Sequence, residues 1–144
     1  MATNSAGTPG YDVHRNVVHS LEKRVTYATL NGSGAGTGTT NATVVVGYLP
    51  PKAFVTAGRV KVITGFNDTT ADDLDVGVSG DDDDLFHSAC DMNSAATTAF
   101  DDLATANDYS TSARTVTCNF TTAPTGDGTA GEAIVMLEYV IVRD

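Results

Sequence analysis

The chain has 144 residues, 41% of them apolar, and a formal net charge of −10. That length suits one domain with a real core, and no apolar run approaches the roughly 20 residues needed to span a bilayer. Its acidity sets it against phosphate backbones, so neither a nucleic-acid nor a membrane partner is expected.

The opening MATNSAGTPG lacks the charged and apolar stretches of a signal peptide, so the expectation is a protein made in the cytosol. Residues 1–22 carry no strong period and are expected to form an extended N-terminal arm ahead of a β-sandwich domain over 23–144. Two readings of the arm stand side by side. It is a disordered terminus, or it is ordered by a partner that takes up Tyr11, Val13, Val17, Val18 and Leu21, with Arg15 adding a positive charge. One or two helical turns over 15–23 would put Val17, Val18 and Leu21 on one face.

From there the dominant period is two, which is the period of strands. Candidate strands cover 23–30, 43–49, 59–66 and 74–78, with weaker ones near Phe54 and over 97–103. A second short helical stretch is expected over 85–91. In SARTVTCNFT, Val116, Cys118 and Phe120 alternate with Thr115, Thr117 and Asn119, giving a half-buried strand with a hydroxyl-rich outer side. In GEAIVMLEYVIV, Ala133, Val135, Leu137, Tyr139 and Ile141 share one face. Ile134, Met136, Val140 and Val142 share the other with Glu138, so this strand belongs in the middle of a sheet. Turn residues at Asn31-Gly32, Pro50-Pro51, Gly80 and Pro124 through Gly131 separate these pieces. The fold class is all-β: a two-sheet antiparallel sandwich or jelly roll. Its expected core is Val44, Val46, Val60, Val62, Phe66, Val76, Val116, Phe120, Val135, Leu137 and Tyr139.

Charge is unevenly spread. Residues 1–66 hold Arg15, Lys23, Arg24, Lys52, Arg59 and Lys61 against Asp12 and Glu22, whereas 67–108 hold only aspartates among charged residues. Solvated loops account for such a run.

No motif for chemistry is complete in this chain. The stretch NGSGAGTGTT lacks the lysine of a phosphate-binding loop, and Thr37 stands where a dinucleotide fingerprint needs its third glycine. Asp81-Asp82-Asp83-Asp84 offers hard oxygen ligands, with Asp72, Asp73 and Asp75 nearby. Yet Phe86 and Met92 occupy the glycine and glutamate positions of an EF-hand. A solvated turn that favours the start of the helix over 85–91 explains the run. His14, His19 and His87 lie in no recognisable catalytic motif. Cys90 and Cys118 match no zinc spacing, and buried free thiols are expected, with a disulfide left open. No enzyme activity, cofactor or metal is therefore expected.

Three stretches, VVVGYLPPKAFVTAGRVKVITGFND, LDVGVSGDDDDLF and TAGEAIVMLEYV, together resemble small structural proteins of tailed bacteriophages. The four-aspartate run and the basic N-terminal segment depart from that pattern. The resemblance implies a jelly-roll virion protein, assembled in the host cytoplasm and attached to the outside of the capsid. It further implies a cement or decoration subunit, often a homotrimer, that bridges major capsid proteins. On this reading Tyr11, Val13, Arg15, Val17, Val18 and Leu21 are the capsid contacts. The alternative is a head-fibre or tail-tip module that recognises host-surface glycans. It calls for a cluster of exposed aromatics that the sequence does not display.

Overall fold

A computed structural model describes residues 17–32, 41–70, 72–103 and 109–142. Among them the strands are β1 (His19–Thr26), β2 (Val44–Leu49), β3 (Ala53–Thr64), β4 (Asp73–Val78), β5 (His87–Asp91), β6 (Thr97–Ala99), β7 (Arg114–Phe120) and β8 (Glu132–Ile141). One helical turn, α1 (Tyr27–Leu30), follows β1.

The strands form two four-stranded sheets, ordered β1-β8-β3-β6 and β2-β7-β4-β5. Every pairing is antiparallel. First pairs with last, second with seventh, third with sixth and fourth with fifth. The chain is thus one long hairpin rolled into two layers, which is the jelly-roll arrangement. β8 takes the central place its two apolar faces predict.

Three elements differ from the sequence reading. The first strand begins at His19, because His19 through Thr26 pair in register with Tyr139 through Glu132. Residues 19–22 of the expected arm therefore belong to the sandwich. A continuous ladder on β8 outcompetes an isolated helical turn over 15–23, whose nucleation is unfavourable in so short a segment. The strand then stops where Thr26 caps α1: its hydroxyl accepts from Thr29 N, and Thr29 Oγ1 accepts from Thr26 N at 2.9 Å. The helical stretch over 85–91 is absent too. Leu85 and Phe86 turn into the core and β5 pairs with β4, satisfying backbone groups a helix would leave bare on that sheet edge. Finally, the Phe54 segment and 59–66 merge into β3, which carries register shifts between Val55 and Ala57 and between Val62 and Thr64.

Every expected core residue except the half-buried Val44 is buried. Leu30, Leu49, Leu74, Phe86 and Met92 join them. Cys90 pairs with Leu74 on one side of β4, and Cys118 pairs with Val76 on the other. Two strand spacings, about 9.6 Å, separate them, beyond disulfide reach. Both thiols are free, and burial pushes that of Cys118 up to about 12.

A buried carboxylate ties the loops at one end. Asp68, 4% exposed, accepts the Tyr27 hydroxyl at 2.5 Å, Thr70 N at 2.9 Å, Thr125 Oγ1 at 3.1 Å and Gly126 N at 3.2 Å. Beside it, Asn67 Oδ1 accepts Thr129 N and Ala130 N, while Asp127 accepts both Thr69 N and Thr69 Oγ1. The rings of Phe66 and Tyr27 pack on Phe120 directly beneath.

Two substitutions test this architecture. Leu137→Ala should cost about 2–5 kcal/mol in urea unfolding, the range for emptying a packed core position. Asp68→Asn weakens several charge-assisted hydrogen bonds at once and should cost about 3 kcal/mol. Amide exchange in that variant should accelerate first in 67–70 and 125–130. Uniform acceleration along the chain would show that Asp68 does not act through these loops.

Candidate functional site

In antiparallel pairs, residues directly opposite project to the same side. On the outer side of the first sheet, Glu22, Met136 and Arg59 form one cross-strand row, and Arg24, Ile134 and Lys61 form the next. The central positions Ile134, Met136 and Val140 are half-buried. Arg24 pairs with Glu132, and Arg59 lies 3.6 Å from Glu138. With Glu22 and Lys61 in adjacent rows adding one charge of each sign, this face is a half-covered apolar row flanked by balanced charge.

Of the expected contact residues, the described ones, Val17, Val18 and Leu21, do not share one face. Tyr11, Val13 and Arg15 lie outside the described residues. Val17 and Val18 are 57% and 58% exposed just ahead of β1. Leu21 projects the other way: it stands opposite Leu137, and its side chain lies against β2 at Gly47. The strand therefore splits a trio that a helix would have grouped. Sequence also missed an isolated backbone bridge, where Phe54 pairs antiparallel with Tyr109, each more than a third exposed. The 54 intervening residues hide that proximity from any local pattern.

The second sheet's outer side is acidic and polar. Asp73 sits directly opposite Asp91, and Asp75 accepts Ala89 N at 2.8 Å and Thr121 Oγ1 at 3.0 Å. Next to them the 81–84 loop folds back over the sheet. Val78 N donates to Asp82 O at 2.6 Å. A Cβ on Gly77 would meet the Asp82 and Asp83 backbone at 2.2–2.5 Å, so only glycine lets the loop settle there. The loop roofs a cleft lined by Thr43, Ser79, Asp81, Asp83, Thr117 and Asn119. For this reason Thr117 and Asn119, expected on an open outer face, are buried. The carboxylates of Asp82, Asp83 and Asp84 converge at the exposed lip.

His87 is buried, with Nδ1 2.6 Å from Asp101 Oδ1 and its ring stacked on Phe100. His19 stacks on Tyr139 at 5.1 Å, and His14 lies outside the described residues. Among the described residues no serine or cysteine side chain is hydrogen-bonded to either ring. These contacts make both imidazoles packing groups.

No protein-family model matches the chain, and no curated protein matches its sequence. Solved structures do match its fold. A chain of the cyanophage Pam1 capsid asymmetric unit aligns over 98% of this chain and 99% of its own, with a TM-score of 0.69 and 20% identity. A chain from the capsid of Ralstonia phage GP4 covers 90% and 86%, with a TM-score of 0.62 and 17% identity. A chain from the acid-stable capsid of Helicobacter pylori bacteriophage KHP30 covers 87% and 88%, at 0.59 and 18%. At this identity the likeness establishes the shared fold.

The acidic ladder has a thermodynamic cost that pH reveals. Burial, reinforced by Asp72, Asp91 and Asp75, holds the Asp73 carboxyl above its ordinary value. A raised folded pKa contributes stability that is fully present below the unfolded value of about 3.9 and lost as pH rises through the folded one. Asp73→Asn, which stays neutral at every pH, should therefore melt higher than the parent at pH 7. The gap should close as pH falls below about 4. An equal gap at both pH values would assign the effect to packing rather than charge.

Proposed function

We propose that the chain is a structural protein of a bacteriophage virion, a cement or decoration subunit that binds the capsid exterior and bridges major capsid proteins. The observation that carries this reading is the end-to-end likeness to a chain of the Pam1 capsid, covering 98% of one and 99% of the other. Two further capsid chains share the fold. A rigid sandwich with packed histidines and inert buried thiols suits a protein whose work is mechanical.

In this reading the protein acts as a homotrimer whose N-terminal arm grips the shell. Tyr11, Val13, Arg15, Val17 and Val18 supply apolar contact and positive charge, and Leu21 anchors the arm's root in the sandwich. The acidic outer side of the second sheet faces solvent, because stacking like charges on a neighbour would oppose assembly.

Removing residues 1–18 spares β1 and tests the arm. The truncated protein should keep the melting temperature of the full chain yet fail to decorate capsids of the phage that encodes it. Full occupancy by the truncated form would remove the arm's role. Light scattering of the full chain at about micromolar concentration should report three copies, as for a stably associated oligomer. A monomer would remove the trimer.

A further inference from the structure

The four consecutive aspartates are used neither by the sandwich nor by the virion reading. A helix beginning at Leu85 would account for them through its dipole, but β5 begins at His87 and no helix follows. The run instead forms the loop that lies on Gly77, and Gly77 stands opposite Thr117 on β7.

Two independent observations meet at that loop. The first is the spacing of the carboxylates: one oxygen from each of Asp82, Asp83 and Asp84 lies within 4.8 Å of the others. Donors held about 2.4 Å from one calcium ion can be at most about 4.8 Å apart, so the three oxygens can share one such ion. The second is Thr117. Its side chain is 2% exposed, and its Oγ1 is buried with no hydrogen-bond partner. Thr117 lines the same cleft as Asp81 and Asp83. A buried hydroxyl in a folded protein ordinarily has a partner, and one facing an acidic cleft calls for a ligand shell that can supply it.

We propose that the 81–84 loop is a calcium site: the carboxylates of Asp82, Asp83 and Asp84 coordinate the ion, and the Thr117 hydroxyl bonds to a water of its coordination shell. This departs from the sequence expectation of no metal, which rested on the missing EF-hand pattern and on a helix over 85–91 that is absent. The site needs only this loop and β7, so it stands or falls separately from the virion reading.

Calorimetric titration of the chelator-treated full chain with calcium chloride tests it. One saturable event is expected, with a dissociation constant of about 0.1–1 mM, the range of extracellular calcium modules, and with weaker binding of magnesium. Melting temperature should rise with calcium concentration. Asp83→Asn should weaken binding at least about tenfold, because ligand charge count sets affinity in such sites. Glu22→Gln makes the same charge change on the other sheet and should leave it unaltered. Thr117→Val, which keeps the shape and removes the hydroxyl, should weaken calcium about threefold or more through loss of one hydrogen bond to the shell. Absence of saturable heat up to about 10 mM calcium overturns the site. So does equal weakening in Asp83→Asn and Glu22→Gln, which would mean diffuse charge screening. Unchanged affinity in Thr117→Val removes the threonine from the site, and with it the second of the two observations on which the proposal stands.

Discussion

The fold depends on β8 more than on any other strand. It is apolar on both faces, with Ala133, Val135, Leu137 and Tyr139 sealing the core and Ile134, Met136 and Val140 half-covered outside. A strand of that kind is costly at an edge, where one flank would stand open to water, and it sits between β1 and β3. Once the last strand lies between the first and the third, the remaining pairs follow in sequence, β2 with β7 and β4 with β5 at the closed end. The cost is kinetic. Most pairings join distant parts of the chain, and such topologies fold slowly because loop closure precedes the stabilising contact.

That pairing scheme also sorts charge. The basic first part of the chain supplies β1 and β3 to one sheet, where Arg24 and Arg59 find Glu132 and Glu138 on β8. The aspartate-rich middle supplies β4 and β5 to the other, where Asp73 meets only Asp91 across the ladder. An uneven linear charge distribution thus becomes one balanced face and one acidic face. Asp68 escapes the repulsion by turning inward, where a phenol, two hydroxyls and backbone amides replace its water.

Legibility in the sequence followed the length and regularity of the pattern. β7 and β8 alternate over seven and ten residues, and their faces could be read directly. β5 could not: Ala89 has a φ of 51°, and the β4 register shifts between Leu74 and Val76, so alternation breaks within five residues. Leu85 and Phe86 then mimic a helical face. The 15–23 segment failed for a related reason, since Val17, Val18 and Leu21 fit a helix when the pairing of His19 with Tyr139 is unknown. Burial of Thr117 was hidden for another cause. Its outward direction was correct, but the roof over it comes from a loop some 34 residues earlier, admitted by the missing side chain of Gly77. A glycine within an alternating strand was the available signal, because it marks close approach of another backbone.

The acidic face constrains how copies of this chain can meet. Bringing two second-sheet outer faces together would oppose the carboxylates of Asp73, Asp91 and the 81–84 loop across a gap from which water is expelled, where repulsion grows as the effective dielectric falls. The balanced face of the first sheet carries no such penalty, since each of its arginines already has a carboxylate neighbour and its central row is apolar. Close packing against a partner is therefore electrostatically permitted on one side of the sandwich and resisted on the other. A cation held by the 81–84 loop would reduce that resistance only where the aspartates converge, leaving the Asp73–Asp91 ladder charged. The asymmetry between the two faces thus persists whether or not the loop is filled.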